Sequence, residues 1–252
     1  MKIKVIHSCD DNPYYLNFWL PVSKVWKEKF NITPVLVHIG NKSPDKKYGE
    51  VHTIEPNSKL PIHTQAQLAR IWYPMHEPDT LWITSDIDMF PMSIQYWNNA
   101  IEDWKIDKPL WTNLNSFYSD EYNGLYFPIC YNLSLGENFK NVLNTDKPFF
   151  DFVEYGIQKT MVDRTHTPEN WNGDILHKWN VDETILTKNI QDLIVSGEYI
   201  HTPPREQNRR LDRSYWKYTE DLIRKGHYID CHSIRPYEKH KTEIDRVLEL
   251  IV

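Results

Sequence analysis

The chain has 252 residues, of which 25% are charged, 40% hydrophobic and 13% aromatic, and a net charge of −6. This is a globular composition, with no overall basic field to hold a nucleic-acid backbone. Only 8 glycines occur, and neither the glycine pattern of a dinucleotide-binding turn nor that of a P-loop is present. Any nucleotide phosphates must therefore be neutralised another way.

Cys9, Cys130 and Cys231 are far apart and form no C-x-x-C pair. Neither a zinc ribbon nor a disulfide framework is expected, and reducing surroundings suit the chain. The apolar stretch within Met1–His7 is too short for a signal peptide, and no run approaches the ~20 apolar residues of a membrane span. The expectation is a soluble cytoplasmic protein, or one of a host cytoplasm if virus-encoded, with oligomeric state open.

In chain order, residues 2–8 read as a buried first strand that ends in the turn residues Asp10, Asp11, Asn12 and Pro13. Residues 14–29 carry a helical stripe that Pro21 interrupts. Strands follow at 34–39 and near 51–54. A helix over 63–73 stops at Pro74, and a turn at 78–80 leads into the apolar run Leu81-Trp82-Ile83-Thr84, a buried strand. A short helix is expected over 93–104, with strands near 109–113 and 125–131. Helices are expected over 136–144, 149–162 and 182–190. The end of the chain reads as a strand over 194–201, a helix over 216–225, a strand over 228–232 and a closing helix over 239–251. Alternating strands and helices predict one α/β domain with a mostly parallel sheet.

Chemistry concentrates in three places. Asp86-Ile87-Asp88 follows the apolar run and so stands at the exit of a buried strand, where α/β sheets bind ligands. Two carboxylates there suit a hard divalent cation that bridges phosphate oxygens. Taken alone, the triplet fits a solvated turn equally well. His232 follows an apolar strand and has Arg235 three residues on, a metal ligand and a phosphate partner by type. Asp182 and Glu183 open a predicted helix, a position acidic residues also favour through the helix dipole.

These segments, in this order, resemble nucleotide-sugar-dependent glycosyltransferases of the GT-A fold, with a layout similar to glycosyltransferase family 8 and to short virus-encoded glycosyltransferases. The resemblance runs through Val5–Asp10, Ala69–Pro74, Pro78–Asp88, Asp182-Glu183 and His232–Tyr237. It departs at Glu183, where a glutamine is usual, at Arg235, where a lysine is usual, and in the tight spacing from His232 to Arg235. It implies a single-domain α/β/α sandwich over 1–252, with a nucleotide-binding half up to about residue 105 and an acceptor-binding half from about 106. It also implies a metal-dependent transfer from a nucleotide-diphosphate sugar, UDP-sugar first, to a glycan or other hydroxyl, with retention. Mn²⁺ or Mg²⁺ would be held by Asp86, Asp88 and His232. The donor would be met by His7, Ser8, Asp10, Tyr14, Arg70, Asp86, Ile87 and Arg235. Asp182 would hold the sugar and Glu183 would lie nearest the reaction centre.

The rival readings are a haloacid-dehalogenase-like phosphohydrolase and a non-catalytic carbohydrate-binding module. The former is disfavoured by Phe90, two residues after the triplet, and by the triplet's distance from the N-terminus. Trp171 and Trp179, near the acidic pair, are candidate sugar-stacking residues, and most other aromatics are expected in the core. Asn113, Asn115 and Asn132 are candidates for sugar hydroxyls. Arg205, Arg209, Arg213 and Lys217 recur every fourth residue, which on a helix makes a basic stripe. That stripe reads mainly as a solvated face, with peripheral contact to an anionic acceptor or membrane as the alternative.

Overall fold

The computed structural model describes residues 1–162, 180–204 and 206–251. Strand β1 (Ile3–Asp10) is followed by a single helical turn, α1 (Pro13–Leu16), and by α2 (Trp19–Glu28). The stripe expected over 14–29, interrupted at Pro21, is two pieces, but the break falls at Asn17 and Phe18, ahead of the proline. Asn12 caps the first through its side chain, and Pro21 falls in the first turn of the second, where a missing N–H costs nothing. Next come β2 (Thr33–Ile39), β3 (Glu50–Ile54), α3 (Ile62–Trp72), β4 (Leu81–Thr84), β5 (Met89–Pro91) and α4 (Ile94–Asp107). The middle of the chain gives β6 (Trp111–Asn113), β7 (Phe117–Ser119), β8 (Gly124–Tyr126), β9 (Asn132–Leu135), α5 (Gly136–Leu143) and α6 (Phe149–Val162). The last part gives α7 (Val181–Val195), β10 (Ile200–His201), β11 (Arg210–Asp212), α8 (Glu220–Arg224), β12 (Asp230–His232) and α9 (Tyr237–Glu249).

Seven strands form the central sheet in the order β10-β6-β9-β4-β1-β2-β3, parallel except that β9 runs against both β4 and β6. Side chains alternate across it and bury on both faces. Val5, Leu36, Leu81 and Ile83 pack under α2, α4 and α9, whereas Ile6, Val35, Val37 and Trp82 pack under α3, α5, α6 and α7. The expected sandwich with a mostly parallel sheet is the one observed. Trp19, Trp26, Trp82, Trp97 and Trp111 are core residues. Gly136 admits the close approach of α5 to the turn after α3, since a Cβ there would meet the Glu77 carbonyl at 2.2 Å.

A second sheet positions the site. It has three strands, β11-β12-β5, with Asp212 opposite His232 and His232 opposite Met89. The ion pair from Arg210 to Asp230, at 2.5 Å, ties β11 to β12.

Four expectations need correction. The strand placed over 194–201 is only β10, because α7 runs on to Val195 and ends at Gly197, whose φ of 91° suits glycine. Of the strand expected near 125–131 only the start is strand, in β8, and β9 begins after it at Asn132. The helix expected over 216–225 is only Glu220–Arg224. The basic stripe is not a helix: Arg209 closes a 3-10 turn, β11 follows, and Arg213 begins another turn. Arg205, Trp171 and Trp179 lie outside the described residues.

Candidate active site

A cleft of about 440 Å³ opens beyond the C-terminal ends of β1 and β4, where open α/β sheets bind their ligands. Ser8, Asp10, Asn12 and Tyr15 line it from the exit of β1, and Gln67 and Arg70 from α3. Asp86, Ile87 and Asp88 line it after β4, with Arg213, His232 and Arg235 from the second sheet. Ser8, Asp10, Arg70, the triplet, His232 and Arg235 are therefore together, as the sequence led us to expect. The side chain of Ile87 anchors in the core, so the carboxylates on either side turn towards the cleft.

Four expected residues do not line the cleft: His7, Tyr14, and the pair Asp182 and Glu183, which lies behind Arg70. His7 is fully buried beneath it, with Nδ1 3.2 Å from the Asp86 carbonyl and its ring against Trp19. Burial pushes its imidazole down to about 4, so it supports the triplet as a neutral ring. Tyr14 stands outside, 40% exposed, with its ring edge-on to Tyr15, and Tyr15 takes the lining position. The three asparagines are also committed elsewhere. Asn113 Nδ2 donates to the Pro128 carbonyl and to Asn132 Oδ1, each at 2.7 Å, and Asn115 Nδ2 donates to the Cys130 carbonyl. They hold the segment between β8 and β9, because a buried amide needs its partners.

Arg70 is buried and joins two elements of the site. Its Nη1 donates to Asp86 Oδ1, and its Nε and Nη2 donate to Asp182 Oδ2 at 3.0 and 2.6 Å. Burial opposes ionisation of Asp86, but the Arg70 charge prevails and holds its carboxyl below the usual range. For Asp182 burial wins over the same arginine, and its carboxyl is raised. The Cys130 thiol approaches the other Asp86 oxygen at 3.5 Å.

Asp88 is also buried, yet three cationic or basic groups meet its Oδ2. Arg235 Nε stands at 2.5 Å, Arg213 Nη1 at 3.1 Å and His232 Nε2 at 3.6 Å. Burial works against ionisation, but neighbouring His232 and the Arg235 charge hold this carboxyl at about 2. His232 is oriented from behind by Asp212, 3.3 Å from its Nδ1.

Glu183 lies behind Asp182. Its Oε2 accepts from Tyr126 Oη and its Oε1 from the Ile129 N–H at 3.0 Å. Burial and the neighbouring Asp182 charge push it up to about 7, against the Tyr126 hydrogen bond. Tyr126 and Arg213 carried no sequence signal for the site: one is an aromatic in a hairpin, the other part of a basic run.

Among the described residues no three His, Cys, Asp or Glu side chains are already gathered as a metal site. The donors nonetheless suit a divalent cation in kind. Asp88 Oδ2 and His232 Nε2, 3.6 Å apart, are spanned by two bonds of about 2.0–2.2 Å.

Neither a family model nor a curated sequence matches this chain. Solved structures do. The galactosyltransferase LgtC, in complex with donor and acceptor sugar analogues, superposes on 98% of this chain and 95% of its own, with a TM-score of 0.53 at 13% identity. The fold is that of GT-A glycosyltransferases. The bifunctional glycosyltransferase WbbM matches 98% of this chain but 49% of its own, with a TM-score of 0.52 at 12% identity. The glycosyltransferase GlyE of Streptococcus pneumoniae matches 99% of this chain and 62% of its own, with a TM-score of 0.51 at 10% identity. No helix among the described residues is long and apolar enough to cross a membrane.

Proposed function

We propose that this protein is a glycosyltransferase that moves a sugar from a nucleoside-diphosphate donor, a UDP-sugar first, to a hydroxyl of a glycan acceptor. The observation that carries the reading is the cleft itself. It gathers Asp86, Asp88, His232 and three arginines at the strand ends of a fold shared along its length with a galactosyltransferase. A nucleotide diphosphate is anionic, and in a chain without a glycine-rich phosphate loop it needs guanidinium groups, with a bound cation, to hold it.

Asp88 and His232, with Asp86 beside them, are the residues to hold Mn²⁺ or Mg²⁺. Such a cation supplies Lewis-acid stabilisation of the leaving diphosphate when bound. Arg70 bridges Asp86 and Asp182 and leaves Asp182 Oδ1 turned to its own helix, where the Glu183 N–H donates to it at 2.9 Å. In this reading Asp182, buried behind Arg70, and Glu183, clamped by Tyr126 and the Ile129 N–H, are uncovered as the donor binds, so that Asp182 holds sugar hydroxyls and Glu183 lies nearest the reaction centre. The reaction proceeds with retention, as the family 8 likeness suggests.

The test is a thermal-shift series with UDP, GDP, CMP and TDP, each with and without Mn²⁺. A ligand of the folded state raises apparent stability by mass action. The expected result is a metal-dependent shift with UDP. No shift with any nucleotide refutes the donor reading. Proton NMR of the product anomer, set against the donor, decides retention, and inversion together with an inactive Glu183→Gln variant would make Glu183 the general base.

A further inference from the structure

Asp88 has one negative charge and two guanidinium groups on a single oxygen. The two arginines are anchored differently. Arg235 also donates to Tyr15 Oη at 3.1 Å and lies 4.9 Å from the centre of the Tyr15 ring, so it is held on two sides. Arg213 is 35% exposed and has no hydrogen-bond partner besides Asp88 among the described residues. Its backbone is fixed, because Asp212 caps the turn by accepting the Ser214 N–H at 2.8 Å and pairs in register with His232. A movable side chain therefore springs from a fixed base on the cleft wall.

Asp88 Oδ2, the oxygen nearest His232 Nε2, already carries two guanidinium groups. A cation held between that oxygen and His232 competes with both arginines for the same charge, and Arg213 has the fewest contacts to lose. A displaced guanidinium keeps its charge and offers a planar fork that pairs with phosphate. We propose that Arg213 is an exchangeable ligand, which pairs with Asp88 in the arrangement described here and transfers to the donor diphosphate as Asp88 takes its metal. This rests on the donor reading above. It couples the two ligands: metal frees the arginine for the phosphates, and phosphates draw the arginine off the metal's carboxylate. Such coupling is reciprocal.

The experiment measures Mn²⁺ alone by electron paramagnetic resonance, and UDP, UMP and uridine by calorimetry, for the unmodified protein, Arg213→Ala and Arg213→Lys. Removing a cation that competes for Asp88 should make Arg213→Ala bind Mn²⁺ about 5- to 10-fold more tightly. Losing a charged phosphate contact should weaken its affinity for UDP about 10- to 100-fold, and leave uridine unchanged. Arg213→Lys should keep most of the UDP affinity. A residue that only braces the fold would weaken Mn²⁺ and uridine together. Unchanged or weaker Mn²⁺ binding by Arg213→Ala overturns the inference, as does an equal loss of UDP and uridine. If the unmodified protein binds uridine and both its phosphates with no measurable affinity, the donor reading falls, and this inference with it.

Discussion

Asp86 and Asp88 stand two residues apart and are neutralised in opposite ways. At Asp86, two carboxylates, its own and that of Asp182, share the single guanidinium of Arg70. At Asp88, one carboxylate holds two guanidinium groups, with His232 alongside. The cleft thus has an acidic pole facing α7 and a basic pole facing the three-stranded sheet. A nucleotide sugar has matching ends, hydroxyl donors on the sugar and anionic oxygens on the diphosphate. On the proposed donor reading, this polarity is what orients the nucleotide sugar in the cleft. The poles also differ in mobility of partner. Arg70 is buried and doubly engaged, whereas Arg213 is partly exposed and singly engaged.

The most direct way to break the comparison is Arg70→Met. It leaves buried Asp182 and part-exposed Asp86 without their cation, which should cost about 3–5 kcal/mol and abolish transfer. Urea denaturation checks the first and an activity assay the second, and an unchanged unfolding midpoint would show that the acidic pole does not depend on Arg70. Asp88→Asn tests the basic pole. The Mn²⁺-dependent part of the UDP thermal shift should vanish, while UDP affinity in chelator rises a few-fold, because two arginines lose their carboxylate. A fall in both would mean that the arginines need Asp88 for their positions.

Glu183→Gln sharpens the acidic pole through pH. Glu183 is pushed up to about 7 from its ordinary 4.5, so the native state binds more protons than the unfolded chain between those values. Stability is therefore expected to fall as pH rises from about 4.5 to 7, and to stay low above it. The glutamine variant should lose this slope and gain roughly 2–3 kcal/mol at pH 8 relative to the unmodified protein. Parallel slopes for the two in denaturation series at several pH values would remove the assigned cause. The smallest effect is expected from Tyr15→Phe, which removes one hydroxyl from Arg235 and keeps the ring beneath it. UDP affinity should change about 2- to 5-fold by calorimetry, and a larger loss would mean that Tyr15 itself contacts the nucleotide.

The acidic triplet and His232 were readable because each ends a buried apolar run, and strand exits in α/β sheets are where ligands gather. The central sheet was readable for the same reason, since its strands bury both faces and lack alternation. Arg213 was not, because β11 has three residues in a polar stretch, and its pairing with β12 is a contact over twenty positions. A basic residue every fourth position imitates a helix face whatever the backbone does. Arg70 was readable as a motif residue, but its burial between Asp86 and Asp182 depends on α7 arriving from 112 positions away. His7 and Tyr14 show the limit of reading a strand exit by position alone. The pleat decides which side chains enter the cleft, and β1 sends His7 into the sheet's interior. Asn113 and Asn132 face each other across β6 and β9, a register that no local pattern states.

The three-stranded sheet has β12 as its middle strand, between β11 and β5. On a ribosome, β5 emerges long before either neighbour, so Asp88 leaves the tunnel as a hydrated acid with none of its eventual cations yet made. The central sheet up to β4 can begin to pair while this carboxylate still depends on water. Only when residues 210–235 have been translated can β12 dock against β5 and deliver His232, Arg213 and Arg235 together. The basic pole is thus the last part of the cleft to be assembled, and an interrupted polypeptide would carry the acidic triplet and Arg70 without His232, Arg213 and Arg235.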